Sequence, residues 1–251
     1  MSTEDVSTLY PTHIMGHMYF VESAPLTTEK LDLRKQVFII SHHSSRSAYT
    51  GYAEVTRQKC GGACHDMIKF HGPIGQSQVQ AFCACLDYLN ECVPVSNYED
   101  ENPIYVEITS GGGSVNFGTQ MGNAVANSKR PVFAISSGIC ASAATFPFMA
   151  AKAGRMVEPA STFLIHDISS FDYGQTNLTQ KLNRARNLET VQMAVAEEFY
   201  EHKGVNQDLL DDVLNGVDQY MNTQDCLNSG IAQGVWRGFD HPSSKPQFRP
   251  A

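Results

Sequence analysis

Between Ile104 and Ser136 the chain reads strand, glycine turn, helix, strand, and no other stretch limits the fold as much. IYVEIT (Ile104 to Thr109) is a short β-rich run that SGGG stops. In VNFGTQMGNAVANS, Val115, Gly118, Met121, Ala124 and Val125 then fall at helical spacing, and PVFAIS returns to strand. Two strands joined by a helix in about thirty residues form a βαβ unit, because parallel neighbours need a crossover of this length. The sheet is therefore at least partly parallel, with right-handed crossovers.

The pattern continues on both sides. MIKFHG reads as a strand and Gln76 to Cys92 as an amphipathic helix with Val79, Phe82, Cys83 and Leu86 inward. Downstream, Ser137 and Gly138 form a turn into a helix from about Ser142, and Thr162 to His166 (TFLIH) is the next strand. Beyond it, GQTNLTQKLNRARNLETVQMAVAEEFYEHKG is one long helical pattern, with Leu178, Leu182, Ala185, Leu188, Met193, Ala196 and Phe199 along one side and Gly204 as a stop. Its mixed apolar and charged surface leaves two readings open: packing on its own core, or projection toward another subunit. Asn222 and Thr223 cap a short helix, TQDCLNS, that ends at Gly230. Near the start, QVFIIS and YAEVTR read as two strands without a register signal. From Trp236 the chain carries three prolines and reads as an extended tail.

At 251 residues and a net charge of -8, the chain can bury one sizeable core but offers no basic face for phosphate. Nucleic-acid binding is not expected. The acidic, polar start MSTEDVSTLY lacks the basic and apolar regions of a secretory signal, and seven scattered cysteines read as free thiols, so a cytoplasmic protein is expected. Pro131 to Ala151 carries no charge over 21 residues, but its small polar residues and Pro147 suit a buried strand, turn and helix better than a membrane span. Cys60, Cys64 and His65 with Cys83 and Cys85 do not have zinc spacing, so no metal is expected.

Chemistry concentrates at two turns. SGGGSV, Ser110 to Val115, lies between a strand and a helix N-terminus, where glycines admit positive φ and close approach of a ligand to backbone N–H groups. Asn116 stands where a dinucleotide fingerprint has its third glycine, which disfavours a nucleotide. In SGICASAAT, Ser142 sits at a strand-to-helix turn, and His166 ends an apolar strand 24 residues later. Serine is a weak nucleophile that needs a base, a group to orient that base, and donors for the oxyanion. Both residues fall at the C-terminal edges of successive parallel strands, where active sites of open α/β folds gather. The amides of Gly113 and Ala143 would converge on the same spot. Several aspartates follow the base, namely Asp167, Asp172, Asp211, Asp212 and Asp218; Asp167 is disfavoured because neighbours on a strand face opposite ways.

IYVEITSGGGSV, SGICASAAT, TFLIH and the later VDQYMN, in that order, resemble the proteolytic subunit of the Clp (caseinolytic) protease over residues 66–236. The resemblance implies an α/β fold, a ClpP/crotonase-like spiral core of repeated ββα units, with a projecting handle helix over about 174–203. It implies a serine endopeptidase that cuts unfolded polypeptides through an acyl-enzyme. Ser142 would be the nucleophile, His166 the base, Asp218 the orienting acid, and Gly113 and Ala143 the oxyanion-hole amides. No cofactor is implied. The partners implied are copies of the same chain in a heptameric ring stacked as a tetradecamer, an AAA+ unfoldase ATPase, and polypeptide substrates, with neither nucleic acid nor membrane.

The chain departs from that pattern in places. Gly111 replaces the proline common before the paired glycines, Cys140 replaces a small residue, and Pro147 should bend or shorten the helix after the serine. The interval from His166 to Asp218 is slightly long, and residues 1–65 are a divergent extension suited to an axial hairpin or docking region, as 237–251 are a tail. Three rival functions share parts of the pattern. They are a signal-peptide-peptidase-like Ser/Lys protease using Lys181 or Lys203, a crotonase-type acyl-CoA enzyme, and a non-catalytic ring subunit.

Overall fold

The computed structural model describes residues 18–20, 38–40, 51–60, 63–91, 103–169, 177–201 and 203–241. Most of the N-terminal extension, residues 170–176, and the tail from 242 lie outside the described residues. Strands β1 (Met18–Phe20) and β2 (Phe38–Ile40) pair with each other, antiparallel. QVFIIS and YAEVTR are thus not partners: β3 (Tyr52–Cys60) instead pairs antiparallel with β4 (Ala63–His71).

The main body alternates as its pattern requires. Helix α1 (Gln76–Glu91) leads to β5 (Ile104–Ser110), α2 (Val115–Ala126) and β6 (Val132–Ala141). A 3₁₀ turn over Ser142–Ala144 and the short α3 (Thr145–Met149) precede β7 (Gly154–Val157) and β8 (Thr162–Ile165). Then come α4 (Leu178–Phe199), α5 (Gln207–Leu214), β9 (Gln219–Met221), α6 (Thr223–Asn228) and β10 (Gly234–Val235). Among the described residues the sheet has eight strands, ordered β10-β7-β6-β5-β4-β3, with β8 on β6 and β9 on β8. The β4-β5-β6-β7 pairings are parallel, as the βαβ pattern demands.

Each face of this sheet buries its own set of side chains, because alternate residues of a strand point opposite ways. On one face Ile68, Phe70, Val106, Ile108 and Ala134 meet Val79, Phe82, Leu86, Met121 and Val125 of α1 and α2. On the other, Met67, Tyr105, Phe133, Ile135 and Met156 are covered by Trp236 and flanked by Phe239, past the last strand. Near the N-terminal ends of the parallel strands, Arg130 reaches the buried Asp66 at 2.8 Å. Cys83 is only half-buried, whereas Cys85 is buried in the first core.

Strand β6 organises the site. Phe133 to Ser136 pair with β7, but Ile139 to Ala141 pair with β8. Between these halves its register with β5 jumps from Ile108↔Ser136 to Ser110↔Cys140, and Gly138 takes φ +66° in the extra stretch. The expected turn at Ser137 and Gly138 is therefore a bulge within a continuing strand, which bends it and re-aims its end. Pro147 lies inside the five-residue α3, so the helix after the serine is short.

Helix α4 starts with a capping box. Asn177 Oδ1 accepts the Gln180 N–H at 2.9 Å and Gln180 Oε1 accepts the Asn177 N–H at 3.1 Å. Residues 179–187 are exposed, and among the described side chains of the helix only Val195, Ala196, Phe199 and the capping Tyr200 are buried against the core. Phe199 stacks on Phe146 at 5.3 Å between centroids. The long helix projects, docked by its C-terminal end. Just past it, the buried Arg155 of β7 donates from Nε to Ile231 C=O (2.8 Å) and from Nη2 to Lys203 C=O (2.8 Å) and Gly230 C=O (3.2 Å). Burial brings its guanidinium down to about 10.

Candidate active site

The glycine turn after β5 is shaped by two contacts. Ile74 N–H donates to Gly112 C=O and Ser114 N–H donates to Ile74 C=O, both at 2.9 Å. In such a parallel bridge the middle residue, Gly113, directs its own N–H away from the Ile74 segment. Gly112 and Gly113 take φ of +92° and +151°. At Gly112 an added Cβ would fall 2.5 Å from Ser142 Cβ and 2.7 Å from Ala141 C=O. Only glycine lets the turn lie this close to the serine.

Ser142 itself has φ +56°, a left-handed conformation that costs a residue with a Cβ on the order of 1–3 kcal/mol and needs support from its surroundings. A serine on a strained strand-to-helix turn stands clear of the sheet edge, as nucleophiles on such elbows do. The turn comes where β6 ends, and the first N–H groups of the 3₁₀ segment, Ala143 among them, have no partner within it. Cys140, two residues before, is not a rival nucleophile: it is fully buried, and burial pushes its thiol well above the ordinary value.

Gly113, Ser142, Ala143 and His166 line one cavity with Val115, Phe146, Ile165, Ile168, Val195 and Leu210. The lining thus combines the serine and histidine with a set of apolar side chains. His166 follows β8, whose pairing with β6 sets its distance from Ser142 along the ladder Cys140↔Phe163 and Ala141↔Leu164. Asp218 stands differently. The antiparallel pairing Ile165↔Gln219 puts it opposite His166 if continued by one step, yet Asp218 is exposed and does not line the cavity. No hydrogen bond joins Ser142 Oγ to His166, or His166 to Asp218, in this arrangement.

Asp167 departs from the alternation argument, because β8 stops at Ile165 and strand geometry no longer applies to the two residues that follow. Both His166 and Asp167 line the cavity, and Asp167 Oδ1 is buried without a hydrogen-bond partner. Lys181 and Lys203 do not line it; Lys181 is on the exposed part of α4. Sequence reasoning missed Thr145 and Tyr200, which bond to each other; Tyr200 also lines the cavity. Their meeting is non-local, and no spacing rule announces it. The cysteine group weighed as a metal site is only partly described: the side chains of Cys60 and Cys64 lie outside the described residues, and burial pushes Cys83 up to about 11 and Cys85 up to about 12.

Comparison with known proteins agrees with this geometry. The chain is 26% identical over 177 residues to an ATP-dependent Clp protease proteolytic subunit of Pleurastrum terricola, covering 68% of this chain and 89% of that protein. The Clp protease family model matches residues 63–238, from the start of β4 through the segment that covers the second sheet face. With the glycine turn, the strained serine and the histidine all inside that span, the chain belongs to the Clp protease family.

Proposed function

We propose that this chain is the serine endopeptidase subunit of a self-compartmentalising Clp-type protease, with Ser142 as nucleophile. The observation that carries the reading is the convergence of Ser142 at φ +56°, His166 and the Gly113 and Ala143 backbone around one cavity. His166 takes the Ser142 Oγ proton as Oγ attacks the scissile carbonyl, and the negative charge developing on the carbonyl oxygen meets the two amides. The imidazolium then gives its proton to the leaving amine. Water, deprotonated by the same histidine, releases the acid from the acyl-enzyme.

Asp218 is the orienting acid in this reading. Support comes from the β8–β9 register, whose last pair is Ile165↔Gln219; one further step would set His166 opposite Asp218. Catalytic hydrogen bonds are often long in the resting state and tighten when substrate binds. We further propose that the chain assembles as a ring, heptameric and stacked in pairs through the projecting α4, and works with an AAA+ ATPase that unfolds substrates. The relative's name is that of an ATP-dependent enzyme, and the glycine turn here does not have nucleotide-loop spacing. The apolar residues that line the cavity with the serine fit an apolar substrate side chain.

Labelling the assembled protein with a fluorophosphonate, followed by peptide mapping, should place the adduct on Ser142. Ser142→Ala should abolish labelling and lower peptide cleavage by at least about 10³-fold. Cleavage that survives Ser142→Ala overturns the reading.

A further inference from the structure

A chain of hydrogen bonds runs from the docked end of α4 to the nucleophile's own peptide group. Tyr200, the C-cap of α4, is 4% exposed, and its hydroxyl bonds Thr145 Oγ1. Thr145 is fully buried; its Oγ1 donates to the Ser142 C=O at 2.6 Å, and its backbone N–H donates to the same oxygen. A threonine hydroxyl has one proton to give. With that proton on the Ser142 oxygen, Thr145 Oγ1 can only accept from Tyr200, so the phenol is the donor. Burial raises the Tyr200 hydroxyl far above its ordinary value of 10.0, which keeps it protonated and able to donate at any working pH.

The Ser142 carbonyl and the Ala143 N–H are the two ends of one planar peptide unit. Because that peptide is trans, they point in opposite directions. Two donors clamped on the oxygen therefore fix the direction of the N–H on the far side of the plane. That N–H is the proposed oxyanion donor, and the residue before it holds a φ that serine avoids when unsupported.

We propose that Thr145 and Tyr200 are positioning residues that aim the Ala143 amide at the oxyanion by clamping the Ser142–Ala143 peptide plane. The proposal rests on the serine-peptidase reading. Neither residue needs to touch substrate through its hydroxyl. Through Tyr200, the aim of the amide also depends on the seating of the C-terminal end of α4.

The test uses the full-length, assembled protein and three variants: Thr145→Val, which keeps the shape and loses the hydroxyl; Tyr200→Phe, which keeps the ring; and Thr145→Ser, which keeps the hydroxyl. For each, kcat and KM on a fluorogenic peptide are measured with the affinity for a peptide boronate, whose tetrahedral adduct puts an oxygen where the oxyanion forms. Thr145→Val should lower kcat by about 10- to 100-fold, less than loss of an oxyanion donor outright, with KM within about twofold and boronate affinity weakened in parallel. Tyr200→Phe should move both in the same direction by about 3- to 10-fold, and Thr145→Ser should restore them. The double variant should be no worse than Thr145→Val, because the two residues act in series.

Variants that melt earlier but keep kcat and boronate affinity overturn the proposal, since a packing role alone predicts that pattern. If Thr145→Val does not fold, Tyr200→Phe decides by the same two readouts. Fluorophosphonate labelling separates the two levels: an unsubstituted protein that does not label at Ser142 removes the serine reading and this proposal together. Labelling with indifferent variants removes this proposal alone.

Discussion

At Gly112 two demands fall on one residue: a positive φ and the absence of a side chain against Ser142. Gly111, its neighbour, is free of both, since a Cβ there meets nothing within 4 Å and its φ is ordinary. Gly112→Ala should therefore push the turn off the serine, destabilise the fold by about 1–3 kcal/mol and slow fluorophosphonate labelling more than tenfold. Gly111→Ala should leave both unchanged. Equal labelling rates for the two variants would sink this account. The glycine turn and Ser142 were legible in the sequence because φ > 0 and small size leave a compositional mark. Thr145 and Tyr200 left none, because their pairing spans 55 positions of the chain; Asp167 was weighed, but the alternation rule used against it applies only within a strand, and β8 ends at Ile165.

Helix α4 shows what periodicity can and cannot decide. Its apolar positions were readable, but whether Leu182 and Met193 faced a core or a partner was not. In the fold they are 52% and 53% exposed, while Phe199 is buried. We expect Leu182→Glu with Met193→Glu to leave the melting temperature of the isolated subunit within about 2 °C, because exposed substitutions cost little. The same pair should dissociate stacked assemblies, as read by light scattering on an eluting sample. An unchanged mass for the doubly substituted protein would remove α4 from the interface. Shorter elements were harder to read: β7 is four residues with a buried arginine in it, and α5 is two turns, so each repeats its pattern only about twice.

For the molecule as a whole, the second face of the sheet is closed by aromatic residues from the far end of the chain. His65 stacks on Phe239 at 4.4 Å between centroids and meets Tyr105 edge-on, and its Nδ1 is buried without a partner. Burial holds its imidazole below the ordinary 6.5, partly offset by the charge of Asp66. The unfolded chain thus binds this proton more readily. The associated stability is complete above pH 6.5 and is lost as the pH falls toward the folded value. Denaturant melts followed by the fluorescence of Trp236, the single tryptophan, should show stability falling from pH 7.5 to 5.5. His65→Phe should flatten part of that slope, and an identical slope in the variant would refute the assignment. The parallel sheet was readable from one βαβ unit; the cover on its second face was not, because a proline-bearing end looks like a tail until its aromatic residues find partners.

The partner exchange in β6 has a consequence for how such a chain tolerates change. One ladder carries the serine at its end and holds the strand that delivers the histidine, so their relative reach is set by strand register and not by the connection between them. Lengthening the connection between β7 and β8 at its exposed tip, Pro159 and Ala160, would leave that reach untouched. One residue added between Gly138 and Ser142 would shift the serine by about 3.3 Å and turn its side chain to the other face. Insertions should therefore be harmless at the first place and disabling at the second, though the two are only some twenty positions apart.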